Sequence, residues 1–130
     1  MYEIVPNLYL SSFRGLDVDH EWIVINCSND LPMKGYGIRI PINDSPEEND
    51  RMYQAFTEVI PWINSHRDRK IVVHCAAGQQ RSAAVVAAFL ISNDRRNSVD
   101  QIIEFIKSKK PDAFFGRQTF RPALDRWSIK

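Results

Sequence analysis

A chain of 130 residues supports one domain, long enough to bury well over half of the surface its unfolded form exposes and too short for a second core. With 44% hydrophobic and 25% charged residues and a formal charge of +1, it has the composition of a soluble globule and no global field to draw in nucleic acid or a membrane. Any preference for anions must be local, no run approaches the roughly 18 apolar residues of a membrane span, and neither a basic start nor a signal-like stretch opens the chain, so the cytoplasm is expected.

The opening residues 2–5 and 8–10 flank Pro6-Asn7 and predict a short hairpin covering one edge of a sheet. Residues 11–21 are polar, contain Gly15 and predict a short helical turn. Trp22-Ile23-Val24-Ile25 is nearly all apolar, as in a strand buried on both faces of a parallel sheet. Residues 29–34 turn the chain, and residues 36–42 alternate as a further strand that ends in the loop Asn43-Asp44-Ser45-Pro46. Ser45-Pro46-Glu47-Glu48 has the form of a capping box with proline at the first helical position. A helix from residue 47 or 49 to 65 then places Met52, Ala55, Phe56, Val59, Ile60 and Ile63 on one face, with Pro61 predicted to kink it or shift its end. Residues 66–70 form a charged, solvated turn in which His66 has no assigned role.

Ile71-Val72-Val73 is the central strand, and Ala83 to Ile91 is a helix apolar on nearly every side, so His74 to Ser82 is a strand-to-helix loop. Such a loop presents unpaired backbone amides, and the helix dipole adds roughly half a positive charge, which suits a tetrahedral oxyanion such as phosphate. Cys75 at the floor of that concavity is stabilised as a thiolate, the nucleophilic form of the side chain. Arg81 offers a planar fork of donors for two phosphate oxygens, Gly78 permits the sharp turn, and Ser82 puts a hydroxyl within reach of the sulfur. Singly, a buried cysteine or a helix-start arginine is an ordinary structural residue. The spacing of all of them between strand and helix is what makes the set specific.

Residues 93–97 are a polar turn, and Ser98-Val99-Asp100-Gln101 is a second capping box. It opens a helix with Val99, Ile102, Ile103, Phe105 and Ile106 apolar, ended by Lys109-Lys110-Pro111. Lys107, Lys109 and Lys110 read as cations complementing the helix C-terminus, not as a binding patch. A closing helix carries Leu124 and Trp127.

His74 to Ser82 matches the HCxxGxxR(S/T) signature, and the chain resembles the cysteine-dependent protein tyrosine phosphatase superfamily, in its small dual-specificity branch. Ile4 to Leu10 resembles that branch's opening strand pair, Val24 to Ser28 its next strand, and Ile40 to Asp44 the strand and loop that carry its acid, so essentially residues 1–130 are covered as one catalytic domain. The resemblance implies an α/β fold with a central, mostly parallel twisted sheet of about five strands flanked by helices. It also implies a metal-independent reaction without a cofactor. In that reading Cys75 is the nucleophile and Arg81 the phosphate clamp, and the amides of Ala76, Ala77, Gly78, Gln79 and Gln80 complete the cradle. Ser82 eases departure of the thiolate, and His74 supports the loop without attacking. Asp44 matches the general acid, which protonates a leaving oxygen that would otherwise depart as an alkoxide or phenoxide. Its neighbours Glu47, Glu48 and Asp50 satisfy the helix dipole.

Two cysteines make no disulfide framework, and a thiol nucleophile suits a reducing compartment. Strand alternation puts Cys27 on the face away from Asn26 and Ser28, whereas related enzymes with a protective disulfide carry the partner cysteine nearer Ser28. A Cys27 to Cys75 bridge is therefore not the expected oxidation product. The loop has no lysine, which turns the resemblance away from phosphoinositides. The absence of a long insertion implies a shallow pocket for phosphotyrosine, phosphoserine or phosphothreonine on a protein substrate. Gln79 and Gln80 are open between contacting substrate and holding the loop. The alternatives are an RNA 5′-triphosphatase, the one reading that would bring nucleic acid in, then a phospho-binding pseudophosphatase or a sulfurtransferase.

Overall fold

The computed structural model describes residues 1–129. The elements run β1 (Tyr2–Val5), β2 (Leu8–Ser12), β3 (Ile23–Asn26), β4 (Gly37–Arg39), α1 (Asn49–Asn64), β5 (Ile71–Cys75), α2 (Arg81–Asn93), α3 (Val99–Lys109) and α4 (Arg121–Ser128). They form one five-stranded sheet in the order β1-β2-β5-β3-β4, antiparallel only where the opening hairpin pairs with itself. Asn7 takes the left-handed conformation in that hairpin turn, φ 67°, which asparagine tolerates better than most residues.

The strand β5 is buried along its whole length, is central and lies parallel to both neighbours, with Ser12 opposite Cys75 and Asn26 opposite His74. Three strands thus end together, and their exit loops cluster at one edge, where open α/β sheets place ligands. Because side chains alternate, Leu8, Leu10, Ile23, Ile25, Ile71 and Val73 share one face and join a single core with all four helices. Val24 and Val72 are as buried but stand on the opposite face, outside that core. There Trp22 packs edge-on to Tyr9 with ring centroids 4.8 Å apart.

The helix α2 lies against β5 and against α1, α3 and α4, and every residue from Ser82 to Ile91 is buried. Its alanines allow that close approach on several sides. Trp127 fastens α4 to it: the indole N–H lies 3.0 Å from both the Ala88 carbonyl and Ser92 Oγ.

Several local expectations are corrected. Ser45 makes no capping bond; its hydroxyl goes to Glu47 at 2.5 Å, Pro46–Glu48 is a 3-10 turn, and α1 begins at Asn49. The predicted strand over 36–42 is shortened to Gly37–Arg39, although the Ile40 N–H still donates to the Asn26 carbonyl at 2.8 Å. Residues 11–21 hold the end of β2 and turns in place of a helical turn. The helix α1 runs three residues past Pro61, since a proline near the last turn removes only one N–H bond. The second capping box forms in both halves, Gln101 N–H to Ser98 Oγ at 3.1 Å and Ser98 N–H to Gln101 Oε1 at 2.7 Å. No helix among the described residues is long and apolar enough to cross a membrane.

Candidate active site

Cys75 is the last residue of β5 and is nearly inaccessible at 3% exposure. The chain then turns through residues 76–80 into α2, whose N-cap is Gln80 without a side-chain capping bond, so the first N–H groups of the helix are not taken by it. The carbonyls of this loop are engaged outward. Ala76 O accepts from Phe13 N–H at 3.0 Å, Ala77 O from Lys110 Nζ at 3.4 Å, Gln79 O from Phe114 N–H at 2.8 Å and Gln80 O from Ala84 N–H at 2.9 Å. A trans peptide holds each C=O antiparallel to the next N–H, so these bonds turn the amides of Ala77, Gly78, Gln80 and Arg81 toward the concavity. The result is an anion cradle made of backbone.

Gly78 is required twice over. Its φ is +70°, and a Cβ there would lie 2.6 Å from the Ser11 carbonyl oxygen, a backbone atom that cannot move aside.

At the floor, Cys75 Sγ lies 3.1 Å from the hydroxyl of Ser82, which is fully buried and so committed to the sulfur. Cys27, on the same face of the neighbouring strand, donates its N–H to the His74 carbonyl at 2.7 Å. Both thiols are free, and burial, aided by the nearness of Cys75 and opposed by Arg81, pushes the Cys27 thiol well above its ordinary value. Cys27 is thus a core residue whose burial disfavours the thiolate. Asn26 and Ser28 point to the other face, as expected, and bond to each other at 2.6 Å.

His74 is fully buried on that other face, tilted against Phe13 at 6.0 Å, and neither ring nitrogen makes a hydrogen bond of ordinary geometry among the described residues. Burial lowers its basicity, the Cys75 backbone opposes this, and the charges of Arg39 and Arg81 add to the lowering. Its lowered basicity favours the uncharged imidazole, and the expected support of the loop by a ring hydrogen bond is not seen among the described residues.

The acid loop meets the cradle through side chains. Arg81 Nη1 donates to the Ile42 carbonyl at 3.0 Å, two residues before Asp44. Asp44 is a quarter exposed; its Oδ2 accepts from Arg117 Nη2 at 2.5 Å, and its Oδ1 is buried without a partner. Two rival acids are engaged by the loop itself, Glu48 accepting from the Asn43 N–H at 3.2 Å and Glu47 from Ser45, while Asp50 stands in solvent, 98% exposed, with Arg126 3.8 Å away. Of these four acids, Asp44 alone has a carboxylate oxygen, Oδ1, that is buried and makes no hydrogen bond.

Sequence reasoning did not find the segment 110–119. Lys110 was read as a helix-end cation, but unlike the exposed Lys109 it is 2% exposed and turns inward, with Nζ 2.5 Å from Asp112 Oδ1 and 3.4 Å from the Ala77 carbonyl. Burial would raise the Asp112 carboxyl, but the hydrogen bonds from Lys110 and Gln79 outweigh it and hold it below the ordinary range. Gln79 Nε2 donates to Asp112 at 3.3 Å, and Gln80 clamps the 115–119 stretch. Both glutamine side chains hold the wall, and the backbone amide of Gln80 is among those turned inward. The one available signal was two polar residues placed just before a helix buried on all sides.

The family model of the dual specificity phosphatase catalytic domain matches residues 12–129. The chain belongs to this family. Among its relatives, protein 123R of Invertebrate iridescent virus 6, described as a tyrosine phosphatase, is 32% identical over 96% of this chain and 92% of that protein. Human dual specificity protein phosphatase 16 is 29% identical over 83% of this chain, which spans 18% of the human protein's length. The crystal structure of human DUSP28 superposes with a TM-score of 0.83 over 99% of this chain and 96% of that one at 20% identity, a likeness of fold. The phosphatase-domain match covers the β5–α2 loop, the acid loop and the 110–119 segment together.

Proposed function

We propose that this dual-specificity phosphatase domain is a phosphoric monoester hydrolase acting on phosphotyrosine, and through a shallow pocket on phosphoserine and phosphothreonine, of protein substrates. The observation that carries the reading is Cys75 Sγ at 3.1 Å from Ser82 Oγ beneath a cradle of inward amides at the start of α2.

The Cys75 thiolate attacks phosphorus while the amides of the cradle and the Arg81 fork neutralise the equatorial oxygens. The bond from phosphorus to the leaving oxygen breaks, and protonated Asp44 gives its proton to that oxygen, so the product leaves as an alcohol or phenol. The cysteinyl phosphate then meets a water whose proton passes to the Asp44 carboxylate. The new P–O bond forms as the S–P bond breaks, the Ser82 hydroxyl donates to the returning thiolate, and inorganic phosphate departs. A thiol nucleophile of this kind is suited to a reducing compartment such as the cytoplasm.

The test is hydrolysis of aryl phosphates in EDTA by wild type, Cys75→Ser and Asp44→Asn proteins. Cys75→Ser should lose at least about a thousandfold in kcat/KM. Retained activity would overturn the nucleophile. Asp44→Asn should lose on the order of a hundredfold or more with a poor leaving group and much less with a good one. Phosphotyrosyl and phosphothreonyl peptides assayed beside 5′-triphosphorylated RNA separate the protein from the nucleic acid reading.

A further inference from the structure

Two side chains next to the cradle do no chemistry in this scheme, yet they join it to the acid. Gln80 is 5% exposed, and its amide is spent on one segment: Nε2 donates to the carbonyls of Phe115 at 3.4 Å and Arg117 at 2.9 Å, and Oε1 accepts from the Thr119 N–H at 3.2 Å. That segment in turn grips the acid loop. The Arg117 guanidinium holds Asp44 Oδ2, and the Thr119 carbonyl accepts at 2.9 Å from Asn49 Nδ2, at the first residue of α1. The side chain of Asn49 also accepts from the Ala123 N–H at 2.9 Å, fixing the same junction to α4. Of the residues that Gln80 holds by their backbone, Arg117 grips Asp44 itself and Thr119 ties the start of α1, which follows the acid loop.

We infer that Gln80 and Arg117 are positioning residues for the proton donor, fixing Asp44 relative to the phosphate cradle; this rests on Asp44 being the leaving-group acid. The need is geometric. The Arg81 tie to the Ile42 carbonyl ends two residues short of Asp44, and a misplacement of about 1 Å at a reacting group costs on the order of a hundredfold. With Arg117 on Oδ2, the carboxyl group is fixed through one oxygen while Oδ1 makes no hydrogen bond. The Arg117 side chain is 63% exposed, so its ion pair adds little to folding and its loss registers in the chemistry.

The experiment compares kcat/KM for p-nitrophenyl phosphate, whose leaving group needs little protonation, with phenyl phosphate, whose leaving group needs it. Arg117→Ala and Gln80→Leu should lose about tenfold more activity toward phenyl phosphate than toward p-nitrophenyl phosphate, a part of the 10²–10⁴ a general acid supplies. Arg117→Lys should recover most of the difference. The double variant Asp44→Asn with Arg117→Ala should be no slower toward phenyl phosphate than Asp44→Asn alone, because residues acting as one unit are not additive. Inorganic phosphate should inhibit Arg117→Ala as tightly as wild type, which separates a displaced acid from a damaged cradle. Equal losses on both substrates, or losses that multiply in the double variant, overturn the relay and leave the acid in place. An Asp44→Asn protein with no leaving-group dependence overturns the acid assignment itself, and the relay with it.

Discussion

Residues 75–82 and residues 110–119 form two walls of the site, and they take their shape from different atoms. In the first wall the working groups are backbone amides, set by the end of β5, the start of α2 and outward carbonyl bonds from Ala76, Ala77, Gln79 and Gln80. In the second wall the working contacts are side chains: Lys110 on Ala77, Gln79 on Asp112, Gln80 on Phe115, Arg117 and Thr119, and Arg117 on Asp44. A backbone site tolerates changes of side chain but not of torsion. A side-chain site inverts this, so the same phosphatase should fail in two distinguishable ways.

The largest effect is expected where torsion is attacked. Gly78→Ala forces a left-handed alanine against the Ser11 carbonyl, so urea denaturation should show a loss of about 2–4 kcal/mol, and kcat/KM should fall on the order of a hundredfold as the amides shift. Lys110→Met attacks the second wall instead. It should cost about 1 kcal/mol, because one hydrogen-bonded partner is lost while the half-exposed Asp112 can still be hydrated. The folded Asp112 carboxyl is held below its ordinary value, so its share of stability is complete above the ordinary carboxylate range and is lost as pH falls through the lowered value. Denaturation curves of wild type and Lys110→Met should therefore converge in acid; parallel curves would separate Lys110 from Asp112.

His74 supplies a subtler contrast. Its folded value is depressed by burial, so the domain is favoured above the ordinary histidine range and loses stability as pH falls from there through the folded value. His74→Asn should flatten that slope, and an unchanged slope would assign it to another group. The smallest effect concerns Cys27. Its buried thiol should be a slow partner, so mass spectrometry of peroxide-treated protein should find Cys75 oxyacids and no Cys27 to Cys75 peptide. A dominant bridged peptide would overturn this.

The cradle was legible because its parts lie within eight consecutive residues and its flanks announce a buried strand and helix. The mostly parallel sheet with a hairpin at one edge followed from apolar runs and from the resemblance, whereas the pairing of β2 with β5 came from the structure. Asp44 was placed by resemblance and not by its own pattern, since an aspartate before Ser-Pro is a common turn residue. Arg117, Lys110 and Asn49 could not be read at all. Their partners lie 73, 33 and 70 residues away, and no periodicity records a contact made by the tip of one side chain on a distant carboxylate or backbone carbonyl. The failed capping box at Ser45 has the same origin: Glu48 is drawn off to the Asn43 N–H by the acid loop.

The burial of α2 against β5 and three helices makes the anion site part of the folding unit itself. A bound oxyanion then acts as a ligand of the native state alone, adding about 2.7 kcal/mol at a hundred times its dissociation constant. If the cradle binds phosphate as proposed, the melting temperature of the whole domain should serve as a binding assay, and phosphate release should register in the hydrogen exchange of the core.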